Sequence, residues 1–406
     1  MSISYHNLDW KLIFCAGALT LIGILLIFSA HFYSSSEFQQ DYFLRQATWF
    51  GVAIIAFLFA LNLPLRVFEA TAYLLYGISL ALLVAVLMFG TTRLGATRWF
   101  DFGPVSFAPA DLAKIATLLA LSRFFAYSRR KATSTRNMVL AIIMIAAPAA
   151  LVLKQPDLGT TLIFLALFLG LWFWSGVSLA RVTLTLSPAV AILASLSPVT
   201  LALYFTTILG FVIYFRPRLI VASALITVNL VCGIVTPLLW SGLHEYQQRR
   251  ILTFLDPGQD PRGAGYQVIQ SRISVGSGGF TGKGFLNSTQ SRLEYLPERH
   301  TDFVFSTLGE EFGFIGAIVA LGLFGFLLFR MVQIAARCRS KFSSMIVFGT
   351  ATIILFQMFV NVGMAIGITP VTGLPLPFVS YGGTSLVFFW FLMGLVISAE
   401  NTWQEY

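Results

Sequence analysis

Long stretches of apolar residues, each nearly free of charge, recur from one end of the chain to the other. A membrane-spanning helix needs roughly 20 such residues, so the pattern predicts an all-α, polytopic integral membrane protein with about twelve spans. Their approximate bounds are 10–31, 47–63, 70–90, 108–126, 138–153, 159–175, 182–197, 199–215, 219–240, 303–329, 345–367 and 379–398. The pair at 182–215 is short and is divided by Pro198, so a single re-entrant hairpin is the alternative there.

One polar segment, residues 241–302, is much longer than the other connections and is rich in Gly, Arg and Asp. Loops of such length are uncommon unless they are functional or disordered. The amphipathic stretch from Tyr266 to Ile273 predicts short helices at the membrane surface. We therefore expect residues 1–406 to form one membrane domain that contains this segment as a large loop.

Composition supports the membrane assignment, because 57% of the residues are hydrophobic and only 11% are charged. Soluble domains average about 25% charged residues. The net charge of +9 is therefore not a nucleic-acid signal. In a membrane protein, Lys and Arg mark cytoplasmic loops or a site for an anionic ligand. The three cysteines lie far apart and imply no disulfide framework.

The basic residues also orient the chain, since they favour cytoplasmic loops. With the N-terminus inside, the cytoplasmic loops contain Arg66, Arg129, Arg130, Lys131, Arg136, Arg181, Arg216, Arg218, Arg330, Arg337, Arg339 and Lys341. The short outer loops contain only Arg45, Arg93, Arg98 and Lys154. Both termini are therefore predicted to be cytoplasmic, and residues 241–302 lie outside.

A glycine-rich run at 276–284 is similar to a phosphate-binding loop but fails its spacing. Ser277 stands where the first Gly is required, and Lys283 is followed by Gly284 rather than by Ser or Thr. Glycine turns between surface helices are the favoured interpretation. Backbone contact with a phosphate is the alternative.

Four ionisable residues cluster where the long polar segment re-enters the membrane: Glu298, Arg299, His300 and Asp302. A carboxylate at this boundary would be partly desolvated, which raises its pKa and makes it a better base. Two alternatives stand beside this interpretation. Asp302 is also a plausible N-cap of the next helix, and His300 is a rival base because its pKa lies near neutrality.

Charges inside membrane spans are costly, so each calls for an explanation. Asp111 and Lys114 are three residues apart and share one helical face near the outer end of a span. Either they only neutralise each other, or Lys114 points at an anionic ligand in an outward-facing cavity. Glu310 and Glu311 lie two to three turns into a later span, where a structural bond is at least as plausible as a role in the cavity.

Other charged residues also fall at outer ends of spans: Arg45, Arg98, Asp157 and Arg250, with Gln247 close to the last. Taken singly, Asp157 is a helix cap and each Arg is an interfacial anchor. Together they suit a phosphorylated, lipid-borne substrate that enters from the bilayer. The sequence has no zinc-ligand spacing and no Gly-x-Ser-x-Gly motif, although a divalent ion between carboxylates and a pyrophosphate remains an option.

These motifs resemble the SEDS family (shape, elongation, division, sporulation) over nearly the whole chain. The matching stretches are Arg98–Trp99, Pro109–Lys114, Gln155–Thr160, Leu255–Pro257, Asp260–Gln267, Leu296–Phe303 and Gly373–Ser385. Within the family, Pro297–His300 resembles the elongation type, because the division type usually has Ala at the position of Arg299.

The resemblance implies a peptidoglycan glycosyltransferase of the bacterial inner membrane. Such proteins polymerise lipid II, a disaccharide-pentapeptide on undecaprenyl pyrophosphate, and work with a class B penicillin-binding protein in the elongation machinery. The family's essential Asp falls on Asp302. The expected substrate-binding residues are Arg45, Arg98, Asp111, Lys114, Asp157, Gln247, Arg250, Glu298 and His300.

Two features depart from the family pattern. Asp111 stands where the family usually has Glu, and the family usually has ten spans, so residues 182–215 are interpreted as an insertion.

The expected mechanism uses Asp302 as base for the acceptor hydroxyl and cations for the departing pyrophosphate, with Mg²⁺ or Mn²⁺ as an optional aid. The main alternative is a flippase for lipid-linked precursors, which predicts ionisable residues near the midplane and broken helices in corresponding places of two halves. A passive scaffold would need none of these charges.

Overall fold

The computed structural model describes residues 8–32, 42–93, 96–102, 105–128, 132, 134–195, 197–215, 219–242, 248, 258, 264–292 and 300–404. Within these ranges the helices are α1 Trp10–His31, α2 Tyr42–Asn62, α3 Leu65–Phe89, α4 Pro109–Tyr127, α5 Thr135–Lys154, α6 Leu158–Trp174, α7 Leu179–Ala194, α8 Pro198–Phe215, α9 Leu219–Gly242, α10 Ala264–Ser277, α11 Thr289–Arg292, α12 Val304–Arg337, α13 Lys341–Ile366 and α14 Gly383–Gln404. Each predicted span coincides with one of these helices.

The helices differ in how well they suit a membrane. In the described part of the chain, seven are long and apolar enough to cross one: α1, α2, α3, α5, α12, α13 and α14. Helices α6 to α9 contain shorter apolar stretches. Helix α4 is largely apolar but carries Asp111, Lys114 and Arg123. The chain is therefore an integral membrane protein built from helices, as its hydropathy predicts.

The chain forms two compact units, Met1–Ser175 with Asp256–Tyr406, and Gly176–Leu255. The second unit contains α7, α8 and α9, so residues 182–215 form two helices. A polar contact joins all three helices of this unit. Asn229 of α9 donates to Ser187 Oγ of α7 at 2.9 Å, and the Tyr204 hydroxyl of α8 lies 2.8 Å from Asn229 Oδ1. Such interhelical bonds commonly hold apolar helices together.

A small antiparallel sheet, β1 Thr91–Arg93, β2 Ala96–Phe102 and β3 Val105–Phe107, lies between α3 and α4. Thr91 pairs with Trp99, and Phe100 pairs with Phe107. The sequence predicts only a loop here, yet the segment is rich in Thr, Val and aromatic residues, which favour strands. The sheet positions Arg98, one of the residues that the sequence predicts for the site.

Helix α12 is broken near one end, which the apolar pattern does not reveal. Gly313 has φ 63° and ψ −158°, a conformation essentially restricted to glycine. We call residues 304–312 the site half of α12 and residues 314–337 the far half. The amphipathic stretch at Tyr266–Ile273 is helical as predicted and forms part of α10, whose Val268, Ser271 and Ser274 are buried.

Candidate functional site

In the turn that carries Asp302, three successive backbone carbonyls accept hydrogen bonds. Tyr381 N donates to His300 O at 2.8 Å, and Ser380 Oγ donates to Thr301 O at 2.6 Å. Asn361 Nδ2 of α13 donates to Asp302 O at 3.0 Å. Every carbonyl of the turn 300–302 therefore has a donor from α13 or from the segment before α14.

The N-cap residue of α12 is Phe303 and not Asp302, which the capping alternative expected there. The Phe303 side chain makes no capping bond. Asp302 is half-buried. A Cβ placed on Gly373, whose φ is +73°, would lie 3.6 Å from Asp302 Oδ2, so a backbone without a side chain lies beside the carboxylate. The carboxylate therefore lies two residues before the first residue of α12, beside Gly373.

An aromatic cluster adjoins this turn. The rings of Tyr42 and His300 are stacked at 4.8 Å, and Tyr381 packs edge-on against Tyr42 at 4.8 Å and His300 at 5.5 Å. Burial raises the pKa of the Tyr381 hydroxyl, and the positive charge of Arg45 acts against that rise. Arg45 is exposed on α2, which begins earlier than the sequence predicts. Arg45, His300 and Asp302 thus lie around one turn.

Asp157 confirms the capping interpretation and also faces a basic side chain. It caps α6, because its carboxylate accepts from Thr160 N at 3.0 Å and Thr160 Oγ1 at 2.9 Å. Its Oδ2 atom also lies 3.9 Å from Arg98 Nη1. Arg98 donates from Nε to Gln155 O at 3.2 Å and from Nη2 to Pro156 O. The Arg98 side chain of strand β2 therefore bonds to the chain at the start of α6.

Asp111 and Lys114 form the expected pair on α4, with Nζ 2.7 Å from Asp111 Oδ1. Lys114 is only 5% exposed. Its ammonium group also lies 4.2 Å from the centre of the Phe388 ring of α14. The pair occupies the first two turns of the helix, which begins at Pro109 as predicted. A buried ammonium with one carboxylate partner keeps donor capacity for an anion.

One stretch of chain, residues 372–388, connects these groups. A Cβ on Gly159 of α6 would lie 2.9 Å from Thr372 O and 2.8 Å from Leu374 Cγ, so α6 starts directly against this stretch. Asp302 lies beside Gly373, and Lys114 lies beside Phe388. Residues 372–388 therefore adjoin Asp302, Lys114 and the start of α6, which carries Asp157. We call this stretch the frame of the site.

The sequence did not identify the polar residues that build this frame. Asn361 donates to both Asp302 O and Leu374 O, the latter at 2.8 Å. Gln46 of α2 donates to Ser380 O at 3.3 Å and accepts from Gly382 N at 3.2 Å. Both amides are buried. Asn361 lies inside a predicted span, where an uncharged polar residue was the signal that could have found it. Gln46 falls one residue before a predicted span and gave no such signal.

The outcome for the other residues that the sequence singled out is mixed. Gln247, Arg250 and Glu298 lie outside the described residues. Glu310 and Glu311 form structural bonds, Glu310 with Lys283 at 2.6 Å and Glu311 with Ser29 of α1. The glycine-rich run forms turns that bond to the backbone of α12, as its favoured interpretation expected.

Metal binding finds no donor set in the described ranges, where no group of three or more His, Cys, Asp and Glu residues could hold a metal ion. Asp111 already pairs with Lys114, and Asp157 faces Arg98. We therefore assign no step of the reaction to Mg²⁺ or Mn²⁺.

The fold and the site define a polytopic membrane protein in which Asp302, Lys114 and the start of α6 adjoin one stretch of chain, residues 372–388. A family model described as the cell cycle protein family of FtsW, RodA and SpoVE matches residues 9–405. The chain belongs to this family.

Relatives of known name match nearly the full length. The peptidoglycan glycosyltransferase MrdB of Escherichia coli K12 is 37% identical over 385 residues, which cover 94% of this chain and 92% of that protein. The peptidoglycan glycosyltransferase RodA of Treponema pallidum is 31% identical over 422 residues, covering 97% of both. A probable FtsW of Thiomicrospira cyclica is 32% identical over 408 residues, covering 98% of this chain and 93% of that protein.

Solved structures agree with this assignment. A chain from a peptidoglycan synthase complex that coordinates polymerization and crosslinking superimposes with a TM-score of 0.73 at 30% identity, covering 99% of this chain and 100% of that chain. The rod shape determining protein RodA of Thermus thermophilus superimposes with a TM-score of 0.64 at 27% identity, covering 98% and 97%. No comparison tests whether residues 182–215 are an insertion, which stays a prediction.

Proposed function

We propose that this chain is a peptidoglycan glycosyltransferase that polymerises lipid II into β-1,4 glycan strands during cell elongation. Relatives named for that activity align over nearly its whole length. The observation that carries the mechanism is the turn 300–302, in which three held carbonyls present the Asp302 side chain beside Gly373. The long polar segment and the helices belong to one membrane domain in this proposal.

Asp302 acts as general base. It takes the proton from the 4-hydroxyl of the acceptor N-acetylglucosamine as that oxygen attacks the anomeric carbon of the donor. The bond from that carbon to the pyrophosphate oxygen breaks, and its electron pair leaves with undecaprenyl pyrophosphate. Because an α-linked donor yields a β-linked product, one inverting displacement suffices. The leaving group is already a good one, so no strong general acid is required, unlike in glycoside hydrolysis.

Positive charge stabilises the departing pyrophosphate. Lys114 suits this role because it is buried, and Asp111 keeps it oriented. Arg98 sits beside Asp157 at the start of α6, and Arg45 lies near the aromatic cluster of Tyr42, His300 and Tyr381. Gln247, Arg250 and Glu298 complete the proposed substrate-binding set from the sequence.

The proposed setting is the bacterial inner membrane, with both termini in the cytoplasm and the site at the outer face. The proposed partner is a class B penicillin-binding protein, which supplies the transpeptidase for crosslinking. A structural relative that comes from a polymerising and crosslinking synthase complex supports this partner. Lipid II enters the site from the surrounding bilayer in this proposal.

The test is polymerisation of labelled lipid II by the purified full chain with its class B partner. We expect a ladder of glycan chains from the wild type and none from Asp302→Asn, with folding and partner binding intact. A wild type that makes no polymer but moves lipid II across vesicle membranes would contradict the proposal and establish a flippase. The break in α12 does not favour that alternative, because a neighbouring segment satisfies its backbone groups.

A further inference from the structure

A segment of the long polar loop forms hydrogen bonds with the backbone groups on both sides of the break in α12. We call residues 278–284 the strap. Four backbone bonds join the strap to α12: Lys283 N to Glu310 O (3.0 Å), Gly284 N to Glu311 O (2.9 Å), Phe314 N to Gly279 O (3.0 Å) and Ile315 N to Phe280 O (3.2 Å). Two satisfy carbonyls at the end of the site half, and two satisfy amides at the start of the far half. In a membrane, backbone groups without such partners are costly.

Glycines make this contact possible, because the two backbones touch directly. A Cβ on Gly278 would overlap Gly309 O, and a Cβ on Gly282 would overlap Glu311 O. On the other side, a Cβ on Gly313 would overlap Gly282 N. The glycine-rich run is therefore shaped to fit α12.

A buried carboxylate locks the strap in place. The side chain of Glu310 is fully buried and forms an ion pair with Lys283 at 2.6 Å. It accepts further bonds from Ser274 Oγ (3.0 Å), Ser288 Oγ, Thr289 N (2.9 Å), Thr289 Oγ1 (2.7 Å) and Gln290 N (3.3 Å). One residue of the site half thus gathers α10, the strap and the start of α11.

Helix α10 grips the same half-helix nearer to Asp302. Ser271 Oγ lies 2.6 Å from Ser306 Oγ and donates to Ala365 O of α13 at 2.6 Å. Ser274 Oγ also lies 3.1 Å from Ser306 O. The site half is therefore held along its length, and Asp302 lies two residues before its first residue, Val304.

We propose that Glu310 is a positioning residue for Asp302. With Lys283 and the strap, it fixes the half-helix whose start presents the catalytic carboxylate, while the break at Gly313 separates this half from the membrane-facing remainder of α12. Glu310 touches no substrate in this account. The inference rests on the proposed function, since its consequence is the placement of a base.

The test compares Glu310→Gln with the wild type in the full chain bound to its class B partner. A misplacement near 1 Å can cost about 100-fold in rate, so we expect kcat to fall roughly 10- to 100-fold with KM little changed. Lys283→Met should have a similar effect, and Lys283→Arg should restore most of the rate because it keeps the charge.

Asp9→Asn is the matched control. Asp9 pairs with Arg330 at 3.0 Å on the far half of α12 and is also nearly buried. Asn still caps α1, as Asp9 does by accepting from Lys11 N. This variant removes a comparable ion pair and should lower thermal stability without lowering kcat. A purely structural role for Glu310 predicts that the two variants behave alike.

Hydrogen exchange across 300–312 gives a readout that does not need activity. We expect Glu310→Gln to speed exchange there and Asp9→Asn to leave it unchanged. Full turnover, or unchanged exchange, in Glu310→Gln would overturn the inference. An inactive wild type would instead refute the proposed function, and the exchange experiment would still decide whether Glu310 holds the half-helix.

Discussion

The two halves of α12 are continuous in sequence but differ in how far they are buried. In the site half, residues 304–311 are all buried, and they include Ser306, Thr307, Glu310 and Glu311. In the far half, large apolar residues are exposed, among them Phe314, Ile315, Ile318, Val319, Phe326 and Phe329. Exposed apolar side chains suit lipid, whereas a buried polar half-helix requires partners on every side.

The difference shows where the molecule concentrates its polar bonds. Helices α4 and α13 repeat the pattern, since Lys114 and Asn361 lie near the ends of these helices that adjoin residues 372–388. We therefore expect substitutions at the end near Asp302 to affect catalysis, and comparable substitutions farther along the same helices to leave it largely intact.

The largest effect tests this contrast on α4. Lys114→Met should lower the polymerisation rate by about 10²- to 10³-fold, because a buried cation that stabilises a developing anion is lost. Arg123→Met is the control on the same helix. Arg123 bonds to Ala70 O at 2.9 Å and lies over the Tyr73 ring, so its loss should change the rate little. Equal losses of rate would break the comparison.

Next in size is a pair of glycines on α12. Gly313→Ala should destabilise the protein by about 3 kcal/mol or prevent folding, because its backbone conformation is strained for Ala and the Cβ meets the strap. Gly325→Ala has open space around its Cβ and should be neutral or stabilising by about 1 kcal/mol. Thermal unfolding of the purified proteins measures both. A tolerated Gly313→Ala would show that the break is dispensable.

Asn361 and Gln357, two buried amides of α13, should respond differently to substitution. Asn361→Leu removes the donor to Asp302 O and Leu374 O and should reduce kcat roughly 10- to 100-fold. Gln357 is also buried, but neither of its amide atoms has a partner among the described residues. Gln357→Leu should therefore be neutral or stabilising, because a buried polar group without bonds is unfavourable. Turnover and melting temperature distinguish the two.

The smallest effect separates the two roles of Asp157. Asp157→Ala should cost about 1 kcal/mol through loss of the α6 cap. Asp157→Ser keeps a capping oxygen and should recover most of that stability, but it lacks the charge that faces Arg98. If the Ser variant recovers stability and not activity, the charge matters for catalysis. Recovery of both would leave Asp157 as a cap alone.

Much of the fold follows from hydropathy, because a membrane demands long apolar helices. Each of the twelve predicted spans coincides with a helix, and seven of these are long and apolar enough to cross a membrane. The sequence also predicted the α10 helix and paired Asp111 with Lys114. It missed the break at Gly313, since an apolar run reads the same whether or not the helix is continuous. The reason for the glycine-rich run could not be predicted either, because it depends on the contact between Gly282 and Gly313 in the folded chain.

The site was predictable only in part for a related reason. Charged residues in costly places, such as Lys114, can be identified one at a time. The frame that joins them depends on contacts between residues far apart in the chain, such as Asn361 with Asp302. Strand formation around Arg98 depended on pairing with neighbouring segments, which local pattern does not specify.

The most direct test of the central claim is the rate of glycan formation by Asp302→Asn, measured together with its affinity for lipid II. A general base contributes about 10²- to 10⁴-fold. The account predicts a loss of that size with lipid II binding retained and thermal stability unchanged. A rate within a few-fold of wild type would contradict it and would remove Asp302 from the mechanism, leaving His300 as the next candidate for the base.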